Sequence, residues 1–429
     1  MENFSVELDQ AQGVFLPGQN ISGFVQFHLT AEESFKGLTV ECIGKSQVHW
    51  SETETSGRET ETVHYQASEN YFYHKILLFA GSDAELEPNY YRYAFSFTLP
   101  HQLPSSFEGA HGSLRYYIKA VLGRRWMLDA VFKRGISVNT IVDLNQNFQA
   151  SIPVKEEETK TVCCLCCQSG PITAIAWLPK SGYVPGETIL FCGRVDNKSR
   201  SRLLHTSVRL VERTIFKAQG KQKEDERVIR EITRNLQTAE RESLELWNDI
   251  PIIVPPLAPS DLHLCSIIDL RYFIEFIVNP GKLSFNFKVP IEITIGTIPF
   301  RDSFCTFQPQ ASAPPFTNGI NDGNNITHPI GFLPPFMMNQ YPNLPQSTYE
   351  SGVFGGNLRE EGDTEHLNIG FDTLFKPTYI SYPSVDSQNN PNKTSLKSSD
   401  QRFNRHINVF YVIMLRHVLH KVYFTMAVA

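Results

Sequence analysis

The sequence predicts an all-β protein made of two tandem β-sandwich domains followed by a disordered tail. Three observations predict it. Apolar and polar residues alternate at period 2 from the N-terminus to about residue 300. A pattern of turns and strands then occurs twice in the same order. Beyond about residue 306 the alternation gives way to Pro- and Asn-containing sequence with little periodicity.

The strands come first. Ile21, Gly23, Val25, Phe27 and Leu29 alternate with mostly polar neighbours. So do Tyr91, Tyr93, Phe95, Phe97 and Leu99, then Leu114, Tyr116, Ile118, Ala120 and Leu122, and finally Phe285, Phe287, Val289, Ile291, Ile293 and Ile295. Successive strand side chains point to opposite faces, so each set lines one buried face. Breakers separate the runs: Leu16-Pro17-Gly18, Leu99-Pro100, Leu103-Pro104 and Asn279-Pro280-Gly281. Residues 223–246 are rich in helix formers and, taken alone, read as a surface helix. Their recurring β-branched residues and all-β surroundings favour exposed antiparallel strands instead.

The repeat comes second. Val14-Phe15-Leu16-Pro17-Gly18-Gln19 is echoed by Gly182-Tyr183-Val184-Pro185-Gly186-Glu187. Proline presets φ at the first turn position and glycine permits positive φ at the second, so each pair reverses the chain. A Gly-containing strand follows each turn, with Gly23 in one copy and Gly193 in the other. Further on, Leu103-Pro104-Ser105 precedes Leu114-Arg115-Tyr116-Tyr117-Ile118-Lys119. Ala258-Pro259-Ser260 precedes Leu270-Arg271-Tyr272-Phe273-Ile274-Glu275. Equal order and closely similar offsets imply two copies of one domain.

The early Pro-Gly turn, the Leu-Pro-Ser-Ser…Leu-Arg-Tyr-Tyr-Ile-Lys-Ala run and the second opening Ser-Gly-Pro-Ile…Gly-Tyr-Val-Pro-Gly-Glu resemble the alpha-arrestins, the arrestin-domain-containing proteins. The resemblance runs from about Phe4 to Ile298. It implies two immunoglobulin-like sandwiches of the arrestin type. The expected division is an N-terminal domain over 1–155, a Cys-rich linker over 156–170, a C-terminal domain over 171–300, and a Pro/Asn-rich tail over 301–429 ending in a short apolar segment. The resemblance further implies a cytosolic adaptor, recruited to the plasma membrane and endosomes. It would link receptors and transporters to ubiquitylation and endocytic sorting machinery. A sorting scaffold of the same fold without ligase recruitment is the alternative.

Bulk properties agree with this class. At roughly 100–200 residues per domain, 429 residues hold two or three units. A net charge of -6 argues against a chain-wide nucleic-acid binder, and no nucleic-acid partner is expected. The N-terminal MENFSVELDQ has no basic start, apolar run or small-residue cleavage site, so no secretory leader is expected. No Gly-x-Ser-x-Gly, His-Glu-x-x-His, Gly-x-x-x-x-Gly-Lys or Gly-x-Gly-x-x-Gly motif is present, and neither catalysis nor a cofactor is expected.

Three groups of residues carry chemistry. Cys163, Cys164, Cys166 and Cys167 form two overlapping Cys-x-x-Cys spacings. One tetrahedral zinc could hardly take four thiolates from five consecutive residues, although two could serve beside ligands from elsewhere. S-palmitoylation and plain reduced thiols are the other readings. Arg115 and Lys119 share the strand face opposite Leu114, Tyr116 and Ile118, and Arg124, Arg125, Lys133 and Arg134 follow. Converging, these six cations would bind phosphate on a receptor tail or on anionic lipid.

In the tail, the family resemblance implies Pro-Pro-x-Tyr motifs that dock WW domains of HECT-type ubiquitin ligases. Here Pro345-Gln346-Ser347-Thr348-Tyr349 and Lys376-Pro377-Thr378-Tyr379 keep the tyrosines and lack the double proline. Pro345, Tyr349, Pro377 and Tyr379 are the candidate partner contacts. Val409–Leu415 is too short to span a bilayer, which needs about 20 residues. The segment reads as an amphipathic surface helix, a packed terminus or a variant end.

Overall fold

A computed structural model describes residues 1–301 except 57–58, 82–84, 162–169, 200, 237–242, 261 and 282–284. Beyond 301 it describes 341, 344, 347–359, 363, 367–368 and 374–382.

The first domain contains β1 (Glu2–Leu8), β2 (Val14–Phe15), β3 (Asn20–His28), β4 (Glu33–Ser56), β5 (Glu59–Ala80), β6 (Glu85–Leu86), β7 (Tyr90–Thr98), β8 (Phe107–Glu108), β9 (Gly112–Arg124) and β10 (Ala130–Val138). One sheet has the order β1-β3-β7, and the other runs β2-β10-β9-β4-β5. The second domain contains β11 (Val154–Thr161), β12 (Pro171–Leu178), β13 (Gly182–Tyr183), β14 (Thr188–Asn197), β15 (His205–Ala218), β16 (Lys221–Asn235), β17 (Ser243–Ile253), β18 (Ile268–Asn279) and β19 (Phe287–Ile295). Its sheets are β11-β12-β14-β17 and β13-β19-β18-β15-β16. The five-strand path of the first domain's larger sheet, which β6, β8 and a short strand at Leu367–Asn368 extend, corresponds strand for strand to the five-stranded sheet of the second. In each, the short strand before the Pro-Gly turn pairs parallel with the last strand of the domain, β2 with β10 and β13 with β19.

The turns repeat in atomic detail. Gly18 and Gly186 have φ of 81° and 89°, the left-handed region that favours glycine. The Gln19 amide donates to the Leu16 carbonyl and the Glu187 amide to the Val184 carbonyl, both at 3.1 Å. The tyrosines of the two Leu-Arg-Tyr strands also correspond. The Tyr116 hydroxyl donates to the Pro104 carbonyl at 2.7 Å, and that of Tyr272 donates to Ala258 at 2.9 Å. A buried hydroxyl finds an acceptor, and the loop before the strand is pinned to it.

Each core forms where the two sheets of a domain face one another. Phe27 on β3 lies 6.0 Å from Phe35 on β4, ring to ring, and Phe79 on β5 lies 5.1 Å from Tyr93 on β7. In the second domain Phe276 on β18 packs against Phe191 and Trp247, at 5.3 and 5.7 Å. The alternating sets at 21–29, 114–122 and 289–295 are buried as the period predicts. Phe285 is an exception: it precedes β19 and is 89 % exposed.

Residues 221–235 and 243–253 form β16 and β17, strands and not a helix. The β15 register explains this, because it sets Val208 opposite Ile232 and Val211 opposite Val228. Cross-strand β-branched pairs outweigh weak helical propensity. The stretch 156–170, expected as a linker, opens within β11, which pairs with β12 from Val154 to Thr161.

Part of the region read as a tail is built into the body. β20 (Thr348–Ser351) pairs antiparallel with β24 (Thr378–Ser381), and β21 (Gly356–Asn357) pairs with β23 (Leu374–Phe375). β22 (Leu367–Asn368) adds in parallel to the edge of β10 at Val131 and Phe132. The apolar segment 409–415 lies outside the described residues.

Candidate functional site

The two sandwiches meet at a buried ionic network. Glu108, on β8 of the first domain, accepts two bonds from Arg115, at 2.6 and 2.7 Å. Its backbone carbonyl accepts from Arg227 of β16 at 2.8 Å. Arg227 also donates through Nε, at 2.9 Å, and through an Nη to Glu212 on β15, which is 2 % exposed. One guanidinium therefore neutralises a carboxylate of the second domain and ties it to the backbone of the first. Burial raises the Glu212 carboxyl above its usual value, with Arg227 offsetting part of that. Burial likewise raises Glu108, against the pull of Arg115.

The tail closes over this network. Phe354 stacks on the Arg227 guanidinium at 3.5 Å. A side chain at Gly356 would collide with the Glu108 carboxylate and, at 2.6 Å, with Arg115, so bare backbone passes over the pair. Tyr379 is buried, and its hydroxyl donates to the Ser106 carbonyl at 3.0 Å. Burial, with Glu212 and Glu108 nearby, pushes that hydroxyl well above its ordinary value.

The neighbouring residues grip both domains. On the first, the Thr378 amide donates to Ser137 Oγ and the Thr378 carbonyl accepts from Asn139, both at 2.9 Å. On the second, the Tyr382 amide donates to the Pro185 carbonyl at 2.8 Å and its hydroxyl to Thr297 at 2.7 Å. Ile380 and Tyr382 complete an apolar cluster with Leu16 and Val184, the residues that open the two Pro-Gly turns. The tail strap thus sits where the two repeats approach.

Three of the four tail candidates fall in this strap. Pro377 and Tyr379 are buried, and Tyr349 is half-buried, its hydroxyl pushed up to about 12 by burial. Pro345 lies outside the described residues, as do Cys163, Cys164, Cys166 and Cys167. Among the described residues no three His, Cys, Asp or Glu side chains gather as metal ligands.

The six cations do not converge. Lys119 and Lys133 are cross-strand partners on the sheet face that also carries Arg115. Lys133 is 1 % exposed; it pairs with Asp363 at 3.1 Å, bonds the Leu358 carbonyl at 3.3 Å and sits 4.4 Å from the Tyr117 ring centroid. Arg134 points to the opposite face, where it donates to the Val6 and Ala11 carbonyls at 2.9 and 3.1 Å. Arg124 pairs with Glu33 at 2.9 Å at the far end of β9, and Arg125 is exposed beside it. About ten strand residues separate Arg115 from Arg125, roughly 30 Å. The sequence reading missed Glu108, Glu212 and Arg227, since buried charges on alternating strands look like surface charges until the partner domain is in place.

Residues 4–145 match the family model described as arrestin (or S-antigen), N-terminal domain, and residues 168–300 match arrestin (or S-antigen), C-terminal domain. The chain is 31 % identical over 316 residues to arrestin domain-containing protein 17 of Caenorhabditis elegans, covering 70 % of this chain and 71 % of that one. This chain belongs to the alpha-arrestin family. It is also 27 % identical over 300 residues to human arrestin domain-containing protein 4, covering 68 % and 70 % of the two chains. To human arrestin domain-containing protein 1 it is 24 % identical over 323 residues, covering 73 % and 68 %. The alpha-arrestin sandwiches are thus the regions matched, and among the described residues no helix is long and apolar enough to cross a membrane.

Proposed function

We propose that this alpha-arrestin is a non-enzymatic cytosolic adaptor. Its sandwiches recognise cytosolic regions of receptors or transporters, and it works at the plasma membrane and endosomes to sort them. The observation that carries the reading is the joining of two arrestin sandwiches by Arg227, which donates to the Glu108 carbonyl of the first and to the Glu212 carboxylate of the second. The test is proximity labelling in cells with the full chain against one truncated after Ile298. Labelling of membrane receptors or transporters by both chains supports the adaptor; labelling of neither class above background defeats it.

Recruitment of WW-domain HECT ubiquitin ligases is the finer part of the proposal. A polyproline motif docks on an aromatic groove through its proline and tyrosine, and both Pro377 and Tyr379 are buried in the strap. This burial favours the second reading, a sorting scaffold that does not recruit a ligase while the strap is seated. Titration with isolated WW domains separates the two. The ligase adaptor requires binding to the full chain that Tyr379→Ala weakens, and the scaffold requires none.

A further inference from the structure

The turn joining β9 to β10 carries Arg125-Trp126-Met127-Leu128-Asp129. Trp126 is 99 % exposed, Met127 56 % and Leu128 65 %. Three consecutive large apolar side chains in water are unlike the rest of these strands, where alternation hides every second one. Trp126 also has φ of 61°, a left-handed conformation that bulky side chains avoid. The other three tryptophans are buried or half-buried.

The support beneath the turn is firm. Arg124 pairs with Glu33 at 2.9 Å, and Glu33 also takes the N-terminal ammonium at 3.2 Å. The Arg125 amide donates to the Ser34 carbonyl at 3.2 Å, and Asp129 accepts from the Arg124 amide at 3.3 Å. The opposite end of β9 lies at the second domain, where His111 meets the Phe216 ring edge-on at 5.6 Å. The apolar turn is therefore a convex tip at the far end of the first sandwich.

We propose that residues 125–128 form a membrane-docking tip, with Trp126 at the headgroup level and Met127 and Leu128 in the outer acyl region of an anionic lipid surface. A convex tip with a fully exposed tryptophan suits a bilayer interface, where amphipathic aromatic rings concentrate. Arg125 and the exposed Lys36 flank it and place positive charge at its base, where anionic headgroups would lie. Of the acids beside it, Glu33 is held by Arg124 and the amino terminus, and Asp129 lies 3.7 Å from Lys36. The proposal deepens the membrane-adaptor reading and rests on it for its setting. Protein-free vesicles test the tip alone, so its failure leaves cargo recognition standing.

The experiment is sedimentation and tryptophan fluorescence of the full chain with vesicles of phosphatidylcholine, alone or with about 30 % phosphatidylserine. Binding strengthened by phosphatidylserine, with a blue shift and quenching by brominated acyl chains, supports the tip. The variant Trp126→Ser/Met127→Ser/Leu128→Ser partitions about tenfold or more weakly because its inserted apolar area is gone. Trp126→Phe stays within a few-fold of the parent and loses the fluorescence change. Failure of the parent to bind either vesicle overturns the proposal, as does a serine variant that binds like the parent. A tip protected from exchange by a phosphorylated cytosolic peptide and not by vesicles overturns it in favour of a protein partner.

Discussion

Tyr379 donates its hydroxyl proton to the Ser106 carbonyl at 3.0 Å, joining a residue of the C-terminal region to a loop of the first sandwich. The segment spans the domain boundary, because Tyr382, just past the end of the same strand, bonds Pro185 of the second sandwich. Tyr379→Phe keeps the ring and leaves the buried Ser106 carbonyl without this donor, at a cost of about 1–3 kcal/mol. Tyr379→Ala also opens a cavity, costing about 3–5 kcal/mol in line with other large aromatic truncations. The cost falls on seating of the strap and not on the sandwiches. Hydrogen exchange should therefore rise in β20 and β24 while β9 and β18 stay protected. Equal loss of protection everywhere would show that the strap and sandwiches unfold together.

Arg227 supplies the only cation shown bonding Glu212 among the described residues. Arg227→Met is expected to cost about 3–5 kcal/mol, because it leaves a buried carboxylate uncompensated. Burial already holds the Glu212 carboxyl above its usual 4.5, and removing the cation raises it further. A carboxyl with a raised folded-state pKa keeps its proton when the unfolded chain has released it. Its contribution to stability is therefore fully present below about 4.5 and is lost as pH rises through the folded value. Adding Glu212→Gln to Arg227→Met should restore more stability at pH 8 than at pH 5. Denaturant melts at both pH values measure this, and an equal rescue at the two would contradict it.

Asp143 follows the opposite sign. Burial alone would raise its carboxyl, but hydrogen bonds from Tyr341 and Asn145 outweigh burial and hold it below the usual 3.8. Its stabilisation is present above 3.8 and fades as pH falls through the folded value. Asp143→Asn should lower stability near neutral pH and flatten the acid limb below about pH 4 relative to the parent. Thermal melts across that range provide the check, and parallel pH curves for parent and variant would refute the assignment.

These predictions mark where the sequence was legible. Period 2 located the buried faces, because Ile21, Val25, Phe27 and Leu29 sit at alternate positions of a strand with one wet side. The two Pro-Gly pairs disclosed the repeat, since only a turn with positive φ demands glycine there. Both signals are local. The site is not local: Glu108 and Arg227 are far apart in sequence and become partners only after both domains fold. Tyr379 was visible as a tail tyrosine, yet nothing in Lys376-Pro377-Thr378-Tyr379 announces an acceptor at Ser106. Trp126 was passed over because a lone tryptophan among cations does not reveal whether it faces a core.

The closest approach of strap and turn yields the last prediction. Gly186 has φ of 89°, and a Cβ built there would run into the Tyr382 backbone. Gly186→Ala therefore suffers twice: a left-handed alanine costs about 1–2 kcal/mol, and the added methyl displaces the segment that bonds Pro185. Gly220, in the β15–β16 turn, has φ of 77° and nothing within 4 Å of the same position. Gly220→Ala carries the backbone cost alone. Both variants should lose stability, but only Gly186→Ala should expose the Tyr382 region. Limited proteolysis between 376 and 382 reads the difference directly. Cleavage that rises in Gly186→Ala and not in Gly220→Ala locates the strap's second anchor at Pro185 and Gly186. Equal cleavage in both would mean that general destabilisation, and not contact with this turn, decides whether the strap stays seated.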